Sequence, residues 1–187
     1  AVPLFDGTRP YQQTAFQFSV HVVRNEGASP EHYSFLAAGA QDPRPEFLVE
    51  LKKALGDSGN IIAYNKGFEE KVLKDLGAAF PKYQDWVAQV LNRTVDLIVP
   101  FRSFDYYHPD QHGSASLKAV LPALTGKGYD GLDIAEGQLA SNLFEKVTYS
   151  EVADEEREKV RSDLEKYCSQ DTEGMIWIVD KLHKLVI

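Results

Sequence analysis

The chain has 187 residues, a net charge of −8 and a hydrophobic content of 43%, which is the composition of one ordinary globular domain. Its apolar runs, such as residues 97–101, are too short to span a membrane, and its first residues lack the basic and apolar regions of a signal peptide. We therefore expect a cytoplasmic protein with no membrane partner. The single cysteine excludes an internal disulfide and a cysteine-rich zinc site.

The negative charge restricts how the protein can meet nucleic acid. An excess of acidic residues argues against a broad basic surface that holds a phosphate backbone. It does not exclude a nuclease, because divalent cations can supply the positive charge at a site rich in carboxylates.

The first half of the sequence predicts a β-hairpin followed by alternating helices and strands. Residues 14–23 and 32–38 alternate apolar and polar side chains across the turn residues Asn25, Gly27 and Pro30. The elements predicted after the hairpin are a helix at 46–55, a strand at 60–64, a helix at 66–76 that ends at Gly77, and a helix at 83–91. Residues 94–101 fit either a short strand or the start of a helix.

The second half predicts helices only. A loop, DYYHPDQHGS, leads to a helix at 116–124 with Ser114 or Ser116 as its N-cap. Helices follow at 135–147 and 154–182, and the last has acidic residues in its first turn and apolar residues at i+3 and i+4 steps. Together the elements predict a single α/β domain over residues 1–187.

Two groups of polar residues stand where such a domain builds a site. Asn65, Phe68 and Glu69 follow the strand at 60–64 and begin a helix, at the edge where α/β folds bind ligands. Tyr167 and Asp171 lie one turn apart on the last helix, and Asp171 takes a position where the pattern calls for an inward apolar residue. A buried carboxylate needs a partner, and on a helix that covers a sheet we expect this partner to be a cation or a metal ion. The alternatives are a solvated helix start for Glu69 and a solvent-facing Asp171.

The order of these motifs resembles the DEDD 3′–5′ exonuclease superfamily, in its tyrosine-bearing branch, which has the ribonuclease H-like fold. The resemblance lies in the strand before N-x-x-F-acid, the VDL segment, the SLKAV helix and Y-x-x-x-D on a late helix. The segments PLFDGTRPYQQ, YYHP, GSASLKAVLPAL and YCSQDT are also similar to a bacterial family known only as a domain of unknown function.

The resemblance implies a metal-dependent phosphodiesterase that binds two Mg²⁺ or Mn²⁺ ions and acts on the 3′ ends of single-stranded DNA or RNA. Glu69 and Asp171 would bind metal, Tyr167 would orient the attacking water, and Asp96 would lie in the second shell. For substrate binding we expect Asn65 beside the scissile nucleotide, together with Phe68, Tyr107, His108 and Lys118. The aromatic residues would stack on bases, and Lys118 would meet a phosphate. A closed turn at Pro109 and an exposed lysine are the alternatives.

The sequence departs from the superfamily in two ways. Glu69 stands where aspartate is usual, and nothing in the chain matches the D-x-E of the first, central strand. In relatives that strand comes just before a segment like PLFDGTRPYQQ, so we expect the chain to begin after it and to have little or no activity and no ordered metal alone.

The strand order 3-2-1-4-5 would then leave residues 14–23 and 60–64 without the central strand between them. We expect the N-terminal residues, a neighbouring molecule in a strand-swapped dimer, or a rearrangement to fill this gap. Other domains of the same full-length protein are expected as partners. The alternative function is a non-catalytic ribonuclease H-like binding module of a larger bacterial protein.

Overall fold

A computed structural model describes residues 3–185 of the chain. The described residues form two small sheets and seven α-helices, so the α/β class predicted from the sequence is confirmed. The strands are β1 (Gln17–Val22), β2 (Glu31–Leu36), β3 (Ile61–Ala63) and β4 (Thr94–Asp96). The helices are α1 (Arg44–Leu55), α2 (Gly67–Ala79), α3 (Gln84–Asn92), α4 (Val99–Arg102), α5 (Leu117–Thr125), α6 (Gly137–Tyr149) and α7 (Asp154–His183).

The predicted hairpin is confirmed. β1 pairs with β2 in antiparallel register, from Gln17 opposite Leu36 to Val22 opposite Glu31. Because side chains alternate across a strand, Phe18 points to one face, where its ring meets Phe47 of α1 edge-on at 5.3 Å. Ser19 and His21 point to the other face and contact Thr172 of α7. The hairpin is therefore held between two helical layers.

The second sheet places the ends of two parallel strands side by side. β3 pairs with β4 from Ile61 opposite Thr94 to Ala63 opposite Asp96. Residues 94–101, which fitted either a strand or a helix start, form both in succession: β4 ends at Asp96 and α4 begins at Val99. A turn this tight brings the polar residues that follow β3 and β4 to one edge.

The two sheets share their covering helices but do not pair with each other in the described part of the chain. Phe18 of β1 and Ile61 of β3 pack against the same apolar cluster, formed mainly by α1, α2 and α3. On the other side α7 contacts β1, and its Ile178 packs in a cluster with Leu97, directly after β4. This arrangement agrees with the expectation that β1 and β3 are not neighbours.

One local prediction was wrong, and a second is confirmed in position only. Gly77 does not end α2, which continues to Ala79, because helices α2 and α3 pack closely there: a Cβ at Gly77 would lie 3.4 Å from Val87 Cγ2. Ser116 stands at the N-cap position of α5, but neither it nor Ser114 caps the helix through its side chain. The Ser114 hydroxyl instead donates to Ser116 Oγ at 3.1 Å.

No described helix is long and apolar enough to cross a membrane.

The close crossing of α5 and α7 predicts that a larger residue at Gly174 destabilises the fold. An added Cβ at Gly174 would lie 2.8 Å from Cδ2 of the fully buried Leu121, so Gly174→Ala should lower the free energy of unfolding by about 1–3 kcal/mol. Gly137→Ala is the control, because no atom lies within 4 Å of its added Cβ, and it should leave stability unchanged or raise it by up to about 1 kcal/mol. Urea unfolding measures both. Equal stability of the two variants would contradict this packing.

The polar face between β1 and α7 predicts a pH-dependent stability. The rings of His21 and His32 stack with their centroids 4.3 Å apart. Burial, followed by the neighbouring His32, lowers the pKa of His21 from its ordinary value of 6.5, whereas Glu173 acts to raise it. The unfolded chain therefore takes up this proton more readily, and the free energy of unfolding should fall as pH drops below 6.5. His21→Gln should flatten this slope, whereas changing the exposed His112 should preserve it. An unaltered slope in His21→Gln would contradict the assignment.

Candidate functional site

The first group of candidate residues lies at the carboxyl ends of β3 and β4. Asp96 Oδ1 accepts hydrogen bonds from the backbone N–H of Asn65 at 2.8 Å and of Ile98 at 3.2 Å. This contact holds Asn65 in the left-handed region, at a φ of 61°, where a non-glycine residue is uncommon. Asp96 thus fixes the turn between β3 and α2 and the start of α4.

Glu69 lies in the first turn of α2, beside Asp96. Its side chain reaches solvent, but enough protein surrounds it that partial desolvation raises its pKa, and the Asp96 carboxylate raises it further. A hydrogen bond from the backbone acts in the opposite direction. The next residue, Glu70, is different, since it forms ion pairs with Lys66 and Lys74, both at 3.1 Å. Of these adjacent acids, only Glu69 lacks a described cation partner.

The second group lies on α7, where Asp171 is half-buried. The hydroxyl of Tyr129 donates a short 2.5 Å hydrogen bond to Asp171 Oδ1. Burial raises the pKa of Asp171, and the Tyr129 and Tyr167 hydroxyls and the charge of Lys118 lower it. Asp171 has no ion pair within residues 3–185, whereas Asp163 on the same helix pairs with Lys159 at 2.7 Å. Asp171 is therefore a desolvated carboxylate held by hydroxyl groups.

Tyr167 remains a neutral phenol. Burial, followed by the proximity of Asp171, raises its pKa far above the ordinary value. The same two causes raise the pKa of Tyr129, whose ring centroid lies 6.3 Å from that of Tyr167. Both hydroxyls can therefore donate a hydrogen bond at neutral pH. Cys168, the residue after Tyr167, is half-buried, and desolvation raises the pKa of its thiol to about 12, so little of the nucleophilic thiolate forms at neutral pH.

The loop that carries Tyr129 is fastened to α7 at two further points. Gln170 Nε2 donates to the carbonyl of Gly128 at 2.9 Å. The Lys127 ammonium lies 3.8 Å from the centre of the Trp177 ring, a cation–π contact. Tyr129 is consequently held in place against Asp171 by contacts on both sides of it along α7.

Tyr64, at the end of β3, lies between the two groups. Its pKa is raised by burial and then by Asp96, and Tyr64 is also close enough to Tyr129 to contribute to the raised pKa of that residue. Among residues 3–185, however, no three His, Cys, Asp or Glu side chains converge in a group that could hold a metal ion. Glu69 and Asp171 are thus suited to be members of a ligand set, but the described residues do not complete one.

The residues predicted to bind substrate have different surroundings. Phe68 and Tyr107 are exposed, at 56% and 45%, and Tyr107 contacts the exposed ring of Phe104. His108 takes part in a closed turn: its N–H donates to Gln111 Oε1 at 2.7 Å, and its Nδ1 accepts from Asp110 N–H. Lys118 is exposed and close enough to influence Asp171. Their part in substrate binding stays a prediction.

Sequence reasoning missed Tyr129 and Arg102. Tyr129 is 42 residues from its partner Asp171, in a glycine-rich loop without periodicity. Arg102, at the end of α4, donates to Asn65 Oδ1 at 3.3 Å. The only signal for Tyr129 was an aromatic residue flanked by glycines, which also fits an ordinary turn.

The desolvated state of Asp171 predicts that its removal stabilises the fold. Because its folded pKa is raised, folding favours the protonated form, and this stabilisation is lost as pH rises through the folded pKa. Asp171→Asn should therefore raise the Tm by a few degrees at pH 7, since about 1 kcal/mol corresponds to about 2–4 °C for a domain of this size. The control Asp163→Asn loses its lysine partners and should not raise the Tm. A Tm lowered by Asp171→Asn would contradict this assignment.

Comparison with known proteins identifies a family but no activity. All of this chain aligns with part of "Uncharacterized protein UU173" of Ureaplasma parvum serovar 3, at 25% identity over 209 residues, and spans about 30% of that protein's length. No solved structure matches the chain. The family model described as "Domain of unknown function (DUF2779)" matches residues 1–116, more than half of the chain and including Glu69. The chain therefore belongs to the DUF2779 family.

Proposed function

We propose that this chain is part of a metal-dependent phosphodiesterase that acts on the 3′ ends of single-stranded nucleic acid in the cytoplasm. The observation that carries the proposal is the pair of acids, Glu69 and Asp171, which have raised pKa values and no described ion pair. Acids of this kind cluster at functional sites. The resemblance of the sequence motifs to those of the DEDD exonucleases, which have the ribonuclease H-like fold, supports the same activity.

The ligand set needs further carboxylates. The edges of β1 and β3 that face away from their partner strands are not paired with each other, although both strands pack against one helical layer. We propose that an additional strand, with two acids spaced by one residue, lies between β1 and β3. A segment of a longer protein, or of a second copy, supplies it.

The residues of this chain would then have separate tasks. Divalent cations, when bound, supply an activated water and stabilise the leaving oxygen. Glu69 and Asp171 hold them, and Tyr129 keeps the Asp171 carboxylate in position. The neutral hydroxyl of Tyr167 orients water beside Asp171. Asp96 holds the turn that carries Asn65 and Glu69.

A second candidate is a non-catalytic binding module of the same fold. The absence of a group of three metal-ligating side chains within residues 3–185 favours it. Such a module would bind single-stranded nucleic acid, or another domain of the same protein, without turnover.

A nuclease assay on the full-length protein separates the two candidates. With Mg²⁺ or Mn²⁺, 5′-labelled single-stranded DNA and RNA should be shortened from the 3′ end. Glu69→Gln and Asp171→Asn should each lower the rate by about 100-fold or more, because each removes a charged ligand.

Neighbouring acids provide matched controls for this assay. Glu70→Gln and Asp163→Asn remove acids that are ion-paired with lysines, and both should keep activity within a few-fold of the wild type. Binding without metal-dependent shortening would favour the module instead. Equal loss in a control and its matched site variant would contradict the assignment of the site.

A further inference from the structure

An open pocket of about 410 Å³ lies beside the candidate site, and neither Glu69 nor Asp171 lines it. Its walls are the apolar surfaces of Tyr64, Ile98 and Leu117. Its polar groups come from Asn65, Arg102 and Ser116. The pocket shares Asn65 with the candidate site, so a molecule that fills it lies next to Asp96 and Glu69.

The polar groups of this pocket are predominantly hydrogen-bond donors. The exposed guanidinium of Arg102 makes one long contact, 3.3 Å to Asn65 Oδ1, and pairs with no described carboxylate. Because Asn65 Oδ1 faces Arg102, its amide N–H₂ is left as a donor. Ser116 Oγ accepts from Ser114, which leaves the Ser116 hydroxyl proton free. A pocket rich in donors and poor in acceptors favours an anion.

The apolar walls are fixed by their own contacts. The Tyr64 hydroxyl is engaged, since it donates to the carbonyl of Ala115 at 2.7 Å. Tyr64 therefore presents its ring rather than a free hydroxyl, and Ile98, which also lines the pocket, is buried. The polar edge is equally fixed, because Asp96 holds Asn65 in its left-handed conformation.

We propose that this pocket binds a phosphate group of a single nucleic-acid strand, with Arg102 and Ser116 donating to its oxygens and the apolar walls contacting the attached sugar. Arginine is the side chain best suited to the planar, bidentate recognition of phosphate. Because Asp96 and Glu69 would repel an anion in this pocket, a cation such as Arg102 is needed to hold it. The inference rests on the proposed function, in which those acids serve cleavage of the same strand.

The test measures binding of the full-length protein to fluorescent single-stranded oligothymidylate and oligouridylate, with EDTA present to prevent cleavage. Arg102→Gln should weaken binding about 10-fold and reduce the slope of log affinity against log salt by about one. Arg102→Lys should recover part of the affinity, and Ser116→Ala should lose about 3-fold. Arg24→Gln is the matched control, because Arg24 is an exposed arginine on the hairpin, paired with Glu31, and it should stay within 2-fold.

The outcomes separate this inference from the proposed function. Equal losses in Arg102→Gln and Arg24→Gln, or no loss in Arg102→Gln, would overturn the pocket even where the wild type digests nucleic acid. Failure of the wild type to bind or digest either strand would overturn the proposed function together with the pocket. A loss of binding confined to one of the two strands identifies that strand as the ligand and supports the pocket.

Discussion

The structure around the candidate site depends on a desolvated carboxylate that forms no ion pair within residues 3–185. Asp171 receives a short hydrogen bond from Tyr129 and is influenced by Tyr167 and Lys118, yet its pKa is raised, so burial outweighs these favourable contacts. A fold gains nothing from such a group, because apolar residues of similar volume would pack at lower cost. Stability therefore does not explain the position of Asp171, and this agrees with the ligand-binding role that we propose for it.

The same reasoning separates the candidate acids from structural ones elsewhere in the chain. Glu70 and Asp163 are satisfied by lysines one helical turn away, as is usual for solvated helix faces. Asp96 is satisfied by two backbone N–H groups and shapes the turn after β3. Only Glu69 and Asp171, among the candidate acids, combine a pKa raised by desolvation with the lack of a described ion pair, although Glu69 is exposed and Asp171 is half-buried.

Much of the fold could be predicted because local patterns determine it. The hairpin followed from alternation in residues 14–23 and 32–38, and α7 from its apolar spacing and acidic first turn. Gly77 was misread because helix propensity is local, whereas its contact with Val87 depends on how α2 meets α3. Periodicity does not predict how the two sheets are arranged, since three-residue strands such as β3 carry little pattern.

The site was only partly accessible to sequence reasoning for the same reason. Glu69 and Asp171 could be picked out because each interrupts or follows a periodic segment. Tyr129 and Arg102 lie where no period exists, and their importance comes from contacts across 42 and 37 residues of the chain. Contacts between residues so far apart in the sequence cannot be read from a local pattern. In the folded chain they lie at the ends of β3 and β4 and in the middle of α7.

The central claim is that Glu69 and Asp171, which are far apart in the chain, bind the same cations. Paramagnetic broadening of the backbone amide NMR signals by substoichiometric Mn²⁺, in the full-length protein, tests it most directly. The account predicts that signals of residues around both 69 and 171 broaden together, and that Asp171→Asn reduces the broadening around both. Broadening confined to one of the two regions, or broadening around residue 69 that Asp171→Asn leaves unchanged, would contradict it.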